Sequence, residues 1–409
     1  MTAPRPARWL RADLVGPRGI LEDRLVRIDG DRIGLIAPAA AEPAAARRAE
    51  RLDGLLAPGL LDLHCHGGGG IDVLGPGVDA LASGSPAAVA DTVEALRSFA
   101  AYQARRGVTS VLPTAVSIPL PALRTWARAV DEARRRQADD RAAGGAVREA
   151  SILGANLEGP ALAEQRRGAH DPRALIAPQV LLEALEADPA TWAAVRVVTV
   201  APEGTGGPDL VAALAARGIV VSLGHTAAGT ATVLAAVEAG ARSVTHLFNA
   251  MPALHHRDPG LPGIALADRR LHAELIADGV HVDRRLLPPL ARSLGRRMLY
   301  VSDAIAAAGV GDGELVLGSL RVTVRGAEAR LADGTLAGSV TPLDAAVGVA
   351  VRAGVSPATA LIAAATTPAR LLGLRDRGVV REGARADLVV VGPDGRLRRT
   401  YLGGMPLDR

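Results

Sequence analysis

Short apolar runs alternate with longer stretches rich in Ala, Leu and Arg over most of this chain. Eight of the runs read as strands: Leu60–His66, Val108–Leu112, Ile152–Leu157, Val197–Val200, Ile219–Leu223, Ser243–Thr245, Ala273–Ile276 and Leu299–Val301. The intervals between them, such as Ala90–Arg106 and Leu210–Arg217, read as helices. Strands alternating with helices imply a parallel sheet. Eight such units favour a closed (β/α)8 TIM-type barrel over an open sheet.

The two ends of the chain have a different rhythm. Leu25–Asp29 and Arg32–Ile36 alternate around a turn at Gly30-Asp31, which favours a hairpin. Gly378–Val380 and Ala386–Val391 are of the same kind. Chain ends often meet in space, so both termini are expected to build one small β-sandwich (1–57 plus 375–409) beside a barrel spanning 58–374. Glu314–Asp333 reads as an extra hairpin after the last barrel strand, Arg134–Glu149 as a solvated helix and turn, and Ala37–Ala46 as a loop.

Composition narrows the function. The chain has 409 residues, a net charge of +4 and only 2% aromatics, too few for a platform that stacks nucleic-acid bases. It contains no lysine, so all 47 residues counted as Lys+Arg are arginines. A carbamylated lysine bridging two metals is therefore excluded, and Glu158 is the obvious candidate for a bridging ligand. One cysteine allows no intrachain disulfide. Met1–Val15 lacks the apolar core of a signal peptide, and no apolar stretch reads as a membrane span. A cytoplasmic location follows as an expectation.

Chemistry-bearing side chains recur where strands end, and a barrel gathers those ends on one face. Along Asp62-Leu63-His64-Cys65-His66 alternate residues share a face, which puts Cys65 opposite the two histidines. Imidazoles about 7 Å apart along a strand can grip one ion, although a lone His-x-His equally describes two polar residues at a strand end. The following Gly67–Gly70 either lets backbone approach a ligand or makes a plain turn. Glu158, His225 and His246 each end a strand. A carboxylate facing imidazoles suits a divalent ion of borderline softness, such as zinc or iron. Taken singly, each also fits a hydrogen-bonded structural residue. Asp303, at the end of the eighth strand, can take a proton from metal-bound water and return it to a leaving amine, or can cap the next helix. His281 can polarise a substrate carbonyl, though Asp278-Gly279 before it is also a simple turn. His272 reads as structural.

Several runs together carry a family resemblance: Pro58–Gly67, Leu157–Pro160, Gly168-Ala169-His170, Gly224-His225-Thr226, Thr245–Met251, Asp278–His281, Ser302-Asp303-Ala304, Leu336–Ser339 and Gly383–Leu388. In this order the chain resembles the N-acetylglucosamine-6-phosphate deacetylases, a branch of the amidohydrolase superfamily. The resemblance implies metal-dependent hydrolysis of an acetamide on an amino-sugar phosphate. It implies Glu158, His225 and His246 as ligands of the main metal, Asp303 as general base and acid, and His281 as the group orienting the carbonyl. Asn249 and Ala250 would approach the phosphate, and His170 would line the sugar pocket. Arg257 would reach the phosphate in a neighbouring subunit, making the active form a homodimer. Some relatives hold one metal and lack the first-strand histidines; here His64 and His66 are both present, so the resemblance implies one or two divalent ions per chain, a second being bridged by Glu158. Many relatives carry an aromatic residue where this chain has Ala161, which bears on the shape of the sugar pocket. The alternatives are the galactosamine epimer or another N-acyl compound as substrate and, more remotely, a non-catalytic regulator that binds sugar phosphates.

Overall fold

The structure, a computed structural model, describes residues 7–16, 19–145 and 148–407. Its centre is a ring of parallel strands in sequence order: β1 (Leu60–Cys65), β2 (Val108–Ala115), β3 (Ala155–Glu158), β4 (Val195–Val200), β5 (Val220–Leu223), β6 (Ser243–Val244), β7 (His272–Ile276) and β8 (Met298–Val301). Each expected run lies on a strand. The third is split, with Ser151–Ile152 pairing β2 separately. The break falls at Gly154, where φ is 146° and an added Cβ would lie 2.3 Å from the carbonyl oxygen of Ala194.

The ring closes between β8 and β1 at the C-terminal ends of the strands. The Asp303 N–H donates to the His64 carbonyl at 2.9 Å, and the His66 N–H donates to the Ala304 carbonyl at 2.7 Å. Asp62 Oδ1 accepts from the N–H groups of Ser302 (3.2 Å) and His64 (3.3 Å), stitching the same seam. Burial pushes its carboxyl up to about 6 against those bonds. The bonds that close the ring thus run through the backbone of His64, His66 and Asp303 themselves.

Leu61, Leu63, Leu112, Val197, Ile276, Leu299 and Val301 form one apolar cluster from five strands, together with Ala369 and Leu372. Outside the ring, the long helix Pro86–Arg105 buries Val93, Leu96, Phe99 and Ala100. Its neighbour Leu120–Ala142 buries Trp126, whose indole N–H donates to the Val73 carbonyl at 2.8 Å. Ser85 caps the first of these helices by accepting from the Ala88 N–H, with Pro86 at the position where a missing N–H costs nothing. No helix among the described residues is long and apolar enough to cross a membrane.

Both termini share one separate sheet of seven strands. Its order is Met405–Leu407, Leu397–Leu402, Leu388–Val391, Glu50–Pro58, Arg8–Gly16, Gly19–Asp29 and Arg32–Pro38. Hydrogen bonds run through it without a break, and it curls until Ile33 exchanges backbone bonds with Ala384 and Gly383 at 2.9 and 2.8 Å. Leu10, Leu14, Val26, Ile28, Leu56, Leu388, Val390 and Tyr401 fill the space inside.

Three local expectations change. Ala37–Ala46 contains a 3-10 turn (Ala39–Ala41) and the start of a short helix, Pro43–Arg48. Pro43 at the first helical position and the alanines after it favour helix, and this outweighs the loop reading drawn from the Ala/Pro bias. The Gly67–Gly70 run packs against the chain itself: a Cβ on Gly67 would lie 2.4 Å from the Ile71 carbonyl oxygen, and one on Gly68 2.6 Å from the Tyr102 ring. The hairpin expected after β8 is a three-stranded antiparallel sheet, Gly313–Leu317, Leu320–Arg325 and Glu328–Arg330.

Candidate metal centre

At the C-terminal mouth of the ring lies a cavity of about 330 Å³. His66, Glu158, His170, His225, His246, Asn249, Ala250, His281 and Asp303 line it. The backbone is strained where several of these residues sit. His225 (φ 49°), His246 (29°), Ala250 (52°) and Asp303 (48°) all occupy the left-handed region that side chains with a Cβ avoid. Strain of this kind persists only where the surrounding structure over-determines it, and it concentrates at functional sites.

Glu158 stands at the centre. Its Oε1 lies 3.0 Å from His225 Nε2 and 3.0 Å from His246 Nε2, and those two nitrogens are 3.0 Å apart. His64 Nε2 is 3.4 Å from the same oxygen. The other oxygen, Oε2, lies 3.3 Å from His66 Nε2 and 3.2 Å from His170 Nε2. Asp303 Oδ1 completes the cluster, 3.1 Å from His66 Nε2 and 3.5 Å from His64 Nε2.

The partners of the far ring nitrogens decide what each imidazole offers. His225 Nδ1 meets the Arg166 carbonyl at 2.8 Å, and His66 Nδ1 meets the Thr114 carbonyl at 2.9 Å. A carbonyl only accepts, so both Nδ1 atoms carry the hydrogen. His64 Nδ1 lies 3.1 Å from the carboxylate of Glu274, with the same consequence. As neutral rings, these three imidazoles would aim Nε2 lone pairs at carboxylate oxygens, and buried His64 Nε2 has no hydrogen-bond partner. Lone pairs at these separations repel unless a proton or a cation lies between them. Protonation is one answer: burial opposes charge on His66, but Asp303 and Glu158 outweigh it and push the imidazole up to about 9. A divalent ion is the other. Ligands bound at about 2.0–2.1 Å stand roughly 3.0–3.4 Å from one another, which is the spacing of His225, His246 and Glu158. The donor set fits such an ion, and His64, His66 and Asp303 form a second cluster of ligand atoms close enough to share one.

His170 behaves in the opposite sense. The Ser117 N–H donates to its Nδ1 at 3.0 Å, so Nε2 carries the hydrogen and donates to Glu158. Burial pulls its pKa down to about 4 despite the carboxylate, which keeps the ring neutral. Its ligand atom lies within range of Glu158 and His225, but the tautomer gives it a proton where a ligand needs a lone pair. Glu158 itself is buried, which disfavours charge; the imidazoles of His64 and His170 outweigh burial and hold it well below the usual carboxylate range.

The remaining expected residues divide. His281 lines the cavity, with its Nδ1 2.7 Å from Asp278 Oδ2. Asn249 lines it too, though its Nδ2 donates to the His246 carbonyl at 3.2 Å. Arg257 does not line the cavity of its own chain; it is exposed, its NH1 2.9 Å from His256 Nε2. Ala161 is fully buried and is not among the lining residues, whose apolar members include Val116, Leu317 and Leu336. Cys65 is buried away from the cluster, its Sγ 3.5 Å from the Leu112 carbonyl. Sequence reasoning missed Glu274, Ser117 and Thr114. Glu274 left one signal, a carboxylate in the middle of the apolar run Ala273–Ile276.

Comparisons with known proteins agree with this geometry. The amidohydrolase family model matches residues 55–406. The N-acetylgalactosamine-6-phosphate deacetylase of Escherichia coli O157:H7 is 35% identical over 393 residues, covering 96% of each chain. The N-acetylglucosamine-6-phosphate deacetylase of Bos taurus is 36% identical over 370 residues, covering 86% of this chain and 82% of its own. A solved N-acetyl-D-glucosamine-6-phosphate deacetylase variant from Mycobacterium smegmatis, in complex with N-acetyl-D-glucosamine-6-phosphate, superposes with a TM-score of 0.81 at 32% identity, covering 98% of this chain and 99% of that one. A ring of strands with imidazoles and carboxylates converging at its mouth, and a match over most of the length, place the chain in the amidohydrolase family.

Proposed function

We propose that this chain hydrolyses the acetamide of N-acetylglucosamine 6-phosphate, releasing acetate and glucosamine 6-phosphate. The observation that carries the reading is the mutual 3.0 Å convergence of His225 Nε2, His246 Nε2 and Glu158 Oε1 beside Asp303 in a cavity of about 330 Å³. Galactosamine configuration is the second reading, favoured by the relative that covers 96% of the chain.

His225, His246 and Glu158 would hold the main ion; His64 and His66, with Glu158 bridging, would hold a second. When bound, a divalent ion lowers the pKa of water and polarises a carbonyl oxygen. Asp303 takes the proton from the attacking water as the oxygen–carbon bond forms. His281, which lines the cavity and has Nδ1 held by Asp278, would donate through Nε2 to the carbonyl oxygen on which charge develops. Protonated Asp303 then gives that proton to the amide nitrogen as the carbon–nitrogen bond breaks, so the carboxylate ends as it began. His170 donates to Glu158 and forms the sugar-side wall. Asn249 and Ala250 would approach the phosphate in the same chain, with Arg166 on the same cavity wall to add positive charge. Arg257 supplies a further guanidinium from the neighbouring subunit of a cytoplasmic homodimer. We place the boundary between the terminal sheet unit and the catalytic barrel at residues 57/58 and 374/375.

The test is acetate release from a panel of phosphorylated and free N-acetylhexosamines. Fast release from N-acetylglucosamine 6-phosphate and slow release from the free sugar supports the reading. Release from N-acylamino acids alone would remove it.

A further inference from the structure

His281 and Asp303 come from different strand ends, yet the chemistry proposed above needs them at a fixed separation. We propose that Asp278 and Ser339 form a positioning pair that holds the His281 imidazole in register with Asp303. The inference rests on the amide-hydrolysis reading. It concerns residues that do not line the cavity.

Asp278 uses every lone pair it has within reach. Its Oδ1 accepts from the N–H groups of Val280 (2.8 Å) and His281 (2.9 Å), which wraps the turn around the carboxylate. Its Oδ2 meets His281 Nδ1 at 2.7 Å and accepts from the Ser339 hydroxyl at 3.0 Å. Ser339 belongs to the segment after the three-stranded hairpin sheet. Its N–H donates to the Asp303 carbonyl at 2.8 Å, and its own carbonyl accepts from the Ile305 N–H at 3.0 Å. The close approach needs glycine beside it: Gly338 has φ 72°, and an added Cβ would lie 2.9 Å from the Asp303 carbonyl oxygen. One serine therefore ties the backbone of the base to the carboxylate that orients the electrophilic histidine. Asp278 and Ser339 are 5% and 1% exposed, so water does not compete for these bonds.

The arrangement has a chemical direction. With Nδ1–H committed to Asp278, the Nε2 that faces substrate donates only when the ring is an imidazolium. A buried carboxylate at 2.7 Å favours that form. Burial opposes the charge, but Asp278 and then Asp303 outweigh it and raise the His281 pKa, while Arg330 acts against them. Among these groups only Asp278 also sets the ring's orientation.

The experiment compares Asp278→Asn and Ser339→Ala with the wild-type holoenzyme. Three things are read: bound metal per chain, kcat and KM against pH with N-acetylglucosamine 6-phosphate, and the ¹⁵N resonances of the His281 imidazole. For Asp278→Asn, metal content and KM stay close to wild type while kcat falls about 10- to 100-fold, the range for removing a residue that orients a working group. The alkaline limb of the kcat profile and the His281 titration both move to lower pH, because the imidazolium loses its carboxylate. Ser339→Ala moves the same quantities in the same direction by less, and it carries the test if Asp278→Asn does not fold. An unchanged alkaline limb and an unmoved His281 titration would overturn the proposal, as would a loss expressed only in KM. A wild-type chain that releases no acetate from any N-acetylhexosamine phosphate would sink the functional reading instead; the imidazole titration still reports on the pair.

Discussion

His225 Nε2 and His246 Nε2 lie 3.0 Å apart, each 3.0 Å from Glu158 Oε1. Because His225 Nδ1 is tied to the Arg166 carbonyl, the nitrogen it turns toward His246 has a lone pair to offer whenever the ring is neutral. Such a contact is stable only around a shared positive charge. Chelation of the purified protein should therefore lower its melting temperature as well as its activity. An ion at a hundredfold excess over its Kd contributes about 2.7 kcal/mol by mass action. His225→Ala and His246→Ala should each lose less melting temperature to chelator than the wild type does. A wild-type protein equally indifferent to chelator would argue that protonated histidines fill the centre.

Glu274 acts through His64. Its carboxylate fixes the His64 ring with Nδ1 as donor, 3.1 Å away, and its Oε2 also lies 3.4 Å from the His246 N–H. Glu274→Gln should weaken the ion nearest His64 by about 10- to 100-fold, the usual cost of losing an outer carboxylate, and leave the main ion in place. Metal stoichiometry during dialysis against graded chelator checks this; two ions lost together at wild-type affinity would contradict it.

Arg257→Ala should raise KM for the phosphorylated sugar about tenfold or more, the scale of a lost charge-assisted hydrogen bond, and leave the free sugar unaffected. If Arg257 acts across a dimer, mixing Arg257→Ala with Asp303→Asn chains should restore activity in hybrid sites that have one intact copy of each residue. Mixtures no more active than the sum of the two variants would place Arg257 in its own chain's chemistry or in none.

His272 at the start of β7 gives a pH signature remote from the cavity. Burial and then the charge of Arg370 pull its pKa from 6.5 to about 4. The unfolded chain binds that proton more readily, so this stability is fully present above about pH 6.5 and drains away as pH falls through about 4. The urea midpoint should fall over that window, and His272→Asn should flatten part of the slope. A parallel curve for the variant would show that other groups carry the acid sensitivity.

The barrel was legible because apolar runs ended, one after another, in a histidine, glutamate or aspartate, a pattern that few folds other than a closed ring turn into a single site. Position at successive strand ends was enough to bring Glu158, His225 and His246 to one mouth; their roles as ligands came from the family resemblance. Glu274, Ser117 and Thr114 could not be read in this way, since each works by contacting a side chain far away in sequence, and only the ring's closure sets those contacts. The opposite tautomers of His66 and His170 were equally hidden, because they depend on a carbonyl in one case and a backbone N–H in the other. The break at Gly154 and the helix from Pro43 to Arg48 escaped because local backbone geometry there outweighs the hydrophobic pattern.

Asp303 should prove separable from the ions it serves. Asp303→Asn should keep the main metal and lose turnover by about three orders of magnitude or more, as expected when a base that acts in the transition state is removed. A variant within tenfold of wild type would leave the base to be found elsewhere.

The most direct measurement is an anomalous scattering map from crystals of protein that releases acetate. A peak is expected about 2.0–2.2 Å from each of His225 Nε2, His246 Nε2 and Glu158 Oε1, at the distances of a bound divalent ion. Active crystals with no anomalous density at that point would contradict the metal-dependent chemistry proposed for this site.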